Sequence, residues 1–302
     1  MSSIALSLPP SDHSTERNST TTELLVRTQP IAAARRHLRT SACLLVAAGS
    51  LALLPSTASA GDGGFTGDLN LAFQRPESLA VGDFNNDGRP DLAVVSGTIE
   101  KVGIFLQTPG GELLSHLPVA AGKSPELIAV ADFNRDGNED IAVTHRLDHQ
   151  VSVRLGVGDG TFTNAPDVDL AAGHTSRSLV VADFDNDTRD DLAVGTTTAN
   201  GGDAVRVRMG VGNGTFMAGT SVSATAAALV VGDFNEDAVE DLVHGRPNAF
   251  VAGMLLGKGG GTFDPGPNFG LFGPVGSANA LAVADFDGDG HAMCWPLRPT
   301  IA

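Results

Sequence analysis

Oxygen-bearing side chains stand at alternate positions in five ten-residue phrases of this 302-residue chain. The phrases read DFNNDGRPDL from Asp83, DFNRDGNEDI from Asp132, DFDNDTRDDL from Asp183, DFNEDAVEDL from Asp233 and DFDGDGHAMC from Asp285. In the first, Asp83, Asn85, Asp87 and Asp91 fill positions 1, 3, 5 and 9, and Arg89 at position 7 offers its backbone carbonyl. Alternate residues of a tight loop point the same way, and a hard cation such as Ca2+ takes six to eight oxygens at about 2.3–2.6 Å. The next three phrases supply Asp132, Asn134, Asp136 and Asp140 with the Asn138 carbonyl; Asp183, Asp185, Asp187 and Asp191 with Arg189; and Asp233, Asn235, Asp237 and Asp241 with Val239. The fifth keeps Asp285, Asp287 and Asp289 but places Met293 at position 9. The expectation is about four calcium sites and a fifth that is incomplete. A single Asp/Asn cluster is as readily a solvated turn; four sets in one register argue for metal, and a mostly protein-built oxygen cage suits calcium better than magnesium. Without the bidentate Glu at position 12 of an EF-hand, each loop should bind at about 10⁻⁴–10⁻³ M. Position 6 must bend left-handed, which glycine does freely. Thr188 and Ala238 stand there in the third and fourth loops, so weaker sites are expected in those two. Phe at position 2 faces away from the ligands and reads as packing between repeats.

The elements that must position these loops recur with them. First aspartates lie 49, 51, 50 and 52 residues apart, a period at which each repeat is one supersecondary unit buried by its neighbours. Short apolar runs precede each phrase (SLAV at 78–81, ELIAV at 126–130, SLVV at 178–181, ALVV at 228–231, ALAV at 280–283) and end on a small residue: Gly82, Ala131, Ala182, Gly232 or Ala284. Small residues there suit the crowded inner strand of a radial sheet. A second run follows the phrase, and then a third, as in VSVRLG (151–156) and VRVRMG (205–210), whose alternation marks half-buried strands. Next come the turns GVGDGTF (156–162), GVGNGTF (210–216) and GKGGGTF (257–263). Their G-x-G pattern is flanked by strands, so they are hairpins and not phosphate loops. Four strands per period, with no helical periodicity, predict an all-β β-propeller of four-stranded blades. About four blades are complete, with a partial first and last, so the ring is expected to be incomplete. Gly61-Asp62-Gly63-Gly64-Phe65 echoes the GDGTF turn and reads as an orphan outer strand.

The D-F-N-x-D-G-x-x-D-L phrases and G-x-G-D-G-T-F turns resemble FG-GAP repeats, also described as VCBS-type repeats, the module of the integrin α-subunit propeller. The resemblance spans residues 61–290. It implies structural calcium in the loop between the first and second strands of a blade. It also implies adhesion, binding of a protein or carbohydrate, or scaffolding beside a catalytic domain.

Ahead of the repeats, Arg35, Arg36 and Arg39 precede an apolar or small stretch from Ala42 to Leu54, then Pro55 and the triplet Ala58-Ser59-Ala60. This is the layout of a cleaved export signal. Residues 1–60 are therefore read as an N-terminal extension with signal peptide, 61–290 as the repeats and 291–302 as an aberrant tail. The protein is expected to be secreted, extracellular or periplasmic, with no membrane span. Formal net charge is −16, and twenty of the 35 acidic residues lie inside the five phrases. The acidity is thus local to the loops, and with no basic cluster nucleic acid is excluded as a partner. Only Cys294 follows the signal, so metal is the expected staple in place of disulfides.

No G-x-S-x-G, H-E-x-x-H or Cys/His cluster occurs, and His116, His145, His149, His174, His244 and His291 are scattered. The reading is a non-enzymatic binding or adhesion module for an extracellular protein or glycan, self-associating through open blade edges. The alternatives are the propeller portion of an extracellular enzyme acting on polysaccharide, or a non-functional truncated gene product. An acid pair converging outside the loops would favour the enzyme. The last is suggested by HAMCWPLRPTIA, which breaks the fifth phrase with the single Trp, Trp295.

Overall fold

Strand pairs close around every calcium-type phrase in the same register. The computed structural model describes residues 76–245, 251–270, 281–284 and 293–295, and among these there is no helix. The first blade comprises β1 (Pro76–Gly82), β2 (Asp91–Ser96) and β3 (Lys101–Gln107), with β4 (Leu113–Ser115) and β5 (Val119–Ala120) both paired to β3. The second repeats this as β6 (Pro125–Ala131), β7 (Asp140–His145), β8 (Gln150–Gly156), β9 (Phe162–Asn164) and β10 (Val168–Asp169). Continuous outer strands complete the next two. These are β11 (His174–Ala182), β12 (Asp191–Thr198), β13 (Ala204–Gly210) and β14 (Phe216–Val222), then β15 (Ala228–Gly232), β16 (Asp241–Gly245), β17 (Val251–Gly257) and β18 (Phe263–Gly270). Every pairing is antiparallel, and the inner strands β1, β6, β11 and β15 touch one another in sequence. That is the radial arrangement of a β-propeller.

The small residue ahead of each phrase faces position 9. Gly82 pairs with Asp91, Ala131 with Asp140, Ala182 with Asp191 and Gly232 with Asp241. A fifth sheet begins with β19 (Ala282–Ala284) and β20 (Met293–Trp295), where Ala284 pairs with Met293. The residues that broke the fifth phrase thus occupy the second-strand position of a blade. The export signal, the strand at 61–73 and Asp285, Asp287 and Asp289 lie outside the described residues.

Second strands are buried along their whole length, apart from Thr197 and Thr198 at the end of β12, and they sit in the interior between blades. They accordingly read as unbroken apolar runs after the Asp (LAVV, IAV, LAV), as strands covered on both sides do. Interiors lie between blades: Phe84, Val95 and Ile104 pack with Ile141 and Val143 of the next blade, and Phe184 and Val205 with Leu242 and Leu255. The position-2 phenylalanines bridge blades as expected. Phe84 meets Phe162 edge-on at 5.7 Å, Phe133 meets Phe216 at 5.4 Å and Phe184 meets Phe263 at 5.6 Å. The backbone fastens the same joint, with the Gly160, Gly214 and Gly261 N–H groups donating to the carbonyls of Phe84, Phe133 and Phe184 at 2.9–3.0 Å. Gly214 needs to be glycine twice over: its φ is +80° and a Cβ would stand 2.7 Å from Leu155.

The alternation in the third strands hides a second staple. Arg154 and Arg208 are about 8–9% exposed and reach across the blade boundary. Arg154 Nε donates to the Ala120 carbonyl at 3.1 Å and Arg208 Nη2 to the Asp169 carbonyl at 2.8 Å. Burial lowers the pKa of Arg208, helped by the charge of Arg206, while the charge of Asp169 opposes the shift.

Candidate metal centres

Within each phrase the side chains of positions 1, 3 and 5 turn inward because they accept hydrogen bonds from their own loop. Asp83 takes the Asp87 N–H on Oδ1 at 3.0 Å and the Gly88 N–H on Oδ2 at 2.8 Å. Asn85 Oδ1 accepts from the same Asp87 N–H at 3.2 Å, and Asp87 Oδ1 accepts from the Arg89 N–H at 2.9 Å. Such Asx turns are the local preference of Asp and Asn that keeps them out of regular elements. The ladder repeats with Asp132, Asn134 and Asp136, with Asp183, Asp185 and Asp187, and with Asp233, Asn235 and Asp237. Two residues per loop take positive φ to make it: position 4 (Asn86, Arg135, Asn186, Glu236) and position 6 (Gly88, Gly137, Thr188, Ala238). The sequence pointed to position 6 alone. Thr188 and Ala238 do sit there at φ 71° and 65°.

Position 9 is built differently from the rest of the set. Asp91, Asp140, Asp191 and Asp241 are fully buried. Each Oδ2 accepts from the position-2 Phe N–H at 2.9–3.0 Å, and each Oδ1 from the N–H ending the third strand (Gln107, Gly156, Gly210, Gly257) at 2.7 Å. The carboxylate therefore clamps loop to blade. Burial outweighs those two amides and raises all four carboxyls, Asp140 and Asp191 to about 7. A carboxylate oxygen has a second lone pair, so the clamp leaves acceptor capacity for a cation.

The loops differ in charge. Asp183, Asp185 and Asp187 bring one carboxylate oxygen each within 4.8 Å of the others. In the other three described loops position 3 is Asn, whose Nδ2 donates to the position-5 carboxylate: Asn85 to Asp87 at 2.8 Å, Asn134 to Asp136 at 2.9 Å and Asn235 to Asp237 at 3.0 Å. Asp185 cannot donate in this way, and its carboxyl is raised by desolvation and by the charge of Asp187. Position 7 adds a competitor in two loops, where Arg89 pairs with Asp87 and Arg189 with Asp187. Neighbouring loops also touch, Asn86 Nδ2 donating to Asn138 Oδ1 at 2.6 Å. The donor set is all hard oxygen, anionic and convergent, which fits calcium. The sequence could not show the clamp or the cross-blade Asn pair, since both depend on strands some 16 and 52 residues away.

A family model described as FG-GAP-like repeat matches residues 83–143 and again 132–194. No curated protein matches. Among solved structures, similarity extends to the Pseudomonas aeruginosa periplasmic gluconolactonase, 17% identical over 68% of this chain and 58% of that one, with a TM-score of 0.50. A Lactobacillus plantarum protein is 13% identical over 63% of this chain and 55% of its own, with a TM-score of 0.49. BBS1N, in its complex with ARL6DN, is 16% identical over 76% of this chain and 62% of its own, at 0.42. The chain thus spans less than two thirds of each. Among the described residues no helix is long and apolar enough to cross a membrane.

Proposed function

The chain is built of FG-GAP-like repeats in a β-propeller, and on that premise we propose that it is an exported, calcium-stabilised binding module. What carries this reading is the convergence of positions 1, 3 and 5 in four successive loops, strongest at Asp183, Asp185 and Asp187. Calcium would be held by these side chains together with the position-7 carbonyls and the free lone pairs of the position-9 clamps. Its charge would offset the desolvation and the repulsion that raise Asp185, and so tie inner to second strand in every blade. The apolar stretch 42–54 with its small-residue triplet supports export into a compartment where calcium is millimolar. With dissociation constants of about 10⁻⁴–10⁻³ M, 10 mM calcium adds about 1.4–2.7 kcal/mol per site. A thermal melt of the protein with and without excess chelator tests this: a large fall in Tm is expected, and an unchanged Tm overturns it. Binding of an extracellular protein or glycan, and self-association through open blade edges, belong to the same reading; sedimentation tests the latter, and a strictly monomeric profile removes it.

One observation favours the second reading, an enzyme acting on polysaccharide. Glu77 and Glu126, outside the loops, line one cleft, and the charge of Glu77 adds to the rise of the buried Glu126 carboxyl. Release of reducing sugar from a polysaccharide panel, lost in Glu126→Gln, would establish it.

A further inference from the structure

Far from the loops, at the opening ends of the inner strands, the regular register breaks three times. In β1 the pairing slips between Pro76 and Ser78, in β6 between Pro125 and Ile128, and in β11 between Ser176 and Ser178. The residues left in these bulges include Glu77, Glu126 and Arg177, and β15, which starts beside Ala227, has no such slip. A bulge turns a side chain out of the pleat and is a common way to re-aim one toward a site. Here Glu77 and Glu126 line a cleft of about 330 Å³ together with Thr98, Ser124 and Arg146. Its walls are set by backbone: the Arg146 N–H donates to the Ser124 carbonyl at 3.0 Å, and the Leu127 N–H to Thr144 Oγ1 at 3.2 Å. At Gly97 an added Cβ would press on the Pro125 carbonyl at 3.3 Å and meet the Glu77 carboxylate in ordinary contact at 3.6 Å.

The charges in the cleft are not used up by one another. Among the described residues, no ion pair within 4.0 Å joins Glu77 or Glu126 to Arg146 or Arg177. Glu126 Oε2 is buried and has no hydrogen-bond partner. An unsatisfied buried acceptor of this kind costs stability unless a donor arrives. Burial raises the Glu126 carboxyl, Arg146 and Arg177 pull against that rise, and Glu77 adds to it. The cleft therefore presents one buried carboxylate oxygen without a donor, beside the exposed Glu77 carboxylate and, at its rim, the exposed Arg146 guanidinium. No aromatic ring is among its lining residues, so a sugar there would have to be held by polar contacts alone. We propose that this cleft binds a small zwitterionic ligand, a free amino acid or short peptide, with its ammonium group held between Glu77 and Glu126 and its carboxylate held by Arg146.

This deepens the binding-module reading and does not depend on the metal reading. The test is calorimetric titration of the protein, in calcium, with glycine, lysine, glutamate and glycylglycine, with ethylamine, acetate and glucose as single-charge and neutral controls. Saturable binding of at least one zwitterion is expected, with ethylamine and acetate at least about tenfold weaker. Glycylglycine against glycine separates peptide from free amino acid. Glu126→Gln, which keeps the shape, and Arg146→Ala, on the exposed rim, should each weaken that binding at least about tenfold while Tm holds. No saturable zwitterion binding, affinities untouched by both variants, or glucose bound as tightly would each overturn the proposal. Should that happen while calcium still raises Tm, the propeller and its metal loops stand and only the cleft falls.

Discussion

At one end of the blades Asp91, Asp140, Asp191 and Asp241 make the same pair of amide hydrogen bonds to within a few tenths of an ångström. At the other end, the corresponding inner-strand positions hold Glu77, Glu126, Arg177 and Ala227, each different from its successor or differently seated. Repetition marks the end that holds the blades together, where each joint solves the same packing problem. Divergence marks the end where one blade need not resemble the next, and a ligand cleft can be assembled from unlike neighbours. The contrast matches the general rule that fold stability is distributed and specificity is local.

The largest test of this contrast is truncation of the blade joints. Phe84→Ala, Phe133→Ala and Phe184→Ala should each cost about 3–5 kcal/mol by denaturant titration, because each ring is buried against its partner Phe. Similar costs in the three blades uphold the equivalence of the joints; a cost below about 1 kcal/mol in any one breaks it. Glu77→Ala, at the divergent end, should change stability by less than about 0.5 kcal/mol.

The loops themselves differ by one charge, which sharpens the comparison. Asp185→Asn should lower calcium affinity at the third loop on the order of tenfold, and Asn134→Asp should raise it at the second by a similar factor. Calorimetry on each variant reads this directly, and unchanged affinities would show that ligand charge does not rank the sites. The ranking expected from the sequence, with loops three and four weaker, rested on the strain at Thr188 and Ala238. That strain is present, but the ladder holds it: the Thr188 N–H donates to Asp183 and the Ala238 N–H to Asp233 at 2.7 and 2.9 Å. The Gly88 and Gly137 N–H groups make the same bond, so the strain leaves the ladder intact in all four loops, and the calorimetry that reads the charge effect also checks this ranking.

Acidity probes the cleft end through His145. Its ring is buried, with Nε2 bonded to Ser152 Oγ at 2.7 Å and Nδ1 to the Lys123 carbonyl at 3.1 Å. Desolvation lowers its pKa below the ordinary 6.5, so the unfolded chain binds the proton more readily. Its contribution to stability is then whole above pH 6.5 and declines as pH falls below it, by at most about 1.4 kcal/mol per pH unit, while Asp140 and Asp191, raised to about 7, pull the other way over the same range. The stability of His145→Gln relative to the parent protein should therefore rise as pH falls from 7 to 5.5; a constant difference would show that His145 does not contribute to the pH dependence.

The smallest effect is strain relief. Thr188→Gly should stabilise the calcium-loaded protein by roughly 1 kcal/mol, and Gly88→Thr should cost about as much, since both loops hold position 6 left-handed. A destabilised Thr188→Gly would mean that the threonine side chain makes a contact outweighing its backbone cost.

Periodic chemistry was legible in the residues alone. The spacing of the DFN phrases, the small residue before each and the G-x-G turns determined the blades, the inter-blade phenylalanines and the inward turn of positions 1, 3 and 5, because each follows from local backbone preference and a repeated packing need. What depended on distant strands was not legible. Position 9 read as one more ligand, yet only the folded blade shows its two amide donors arriving from residues seven behind it and about sixteen ahead. Arg154 and Arg208 read as the polar face of half-buried strands, and tertiary packing sends them to carbonyls of the preceding blade. The Pro-Glu pairs at 76–77 and 125–126 were a faint signal in the sequence. Their meaning was decided only when bulges in adjacent inner strands turned both carboxylates into one cleft, since side-chain direction in a strand follows register, and register is a property of the paired sheet.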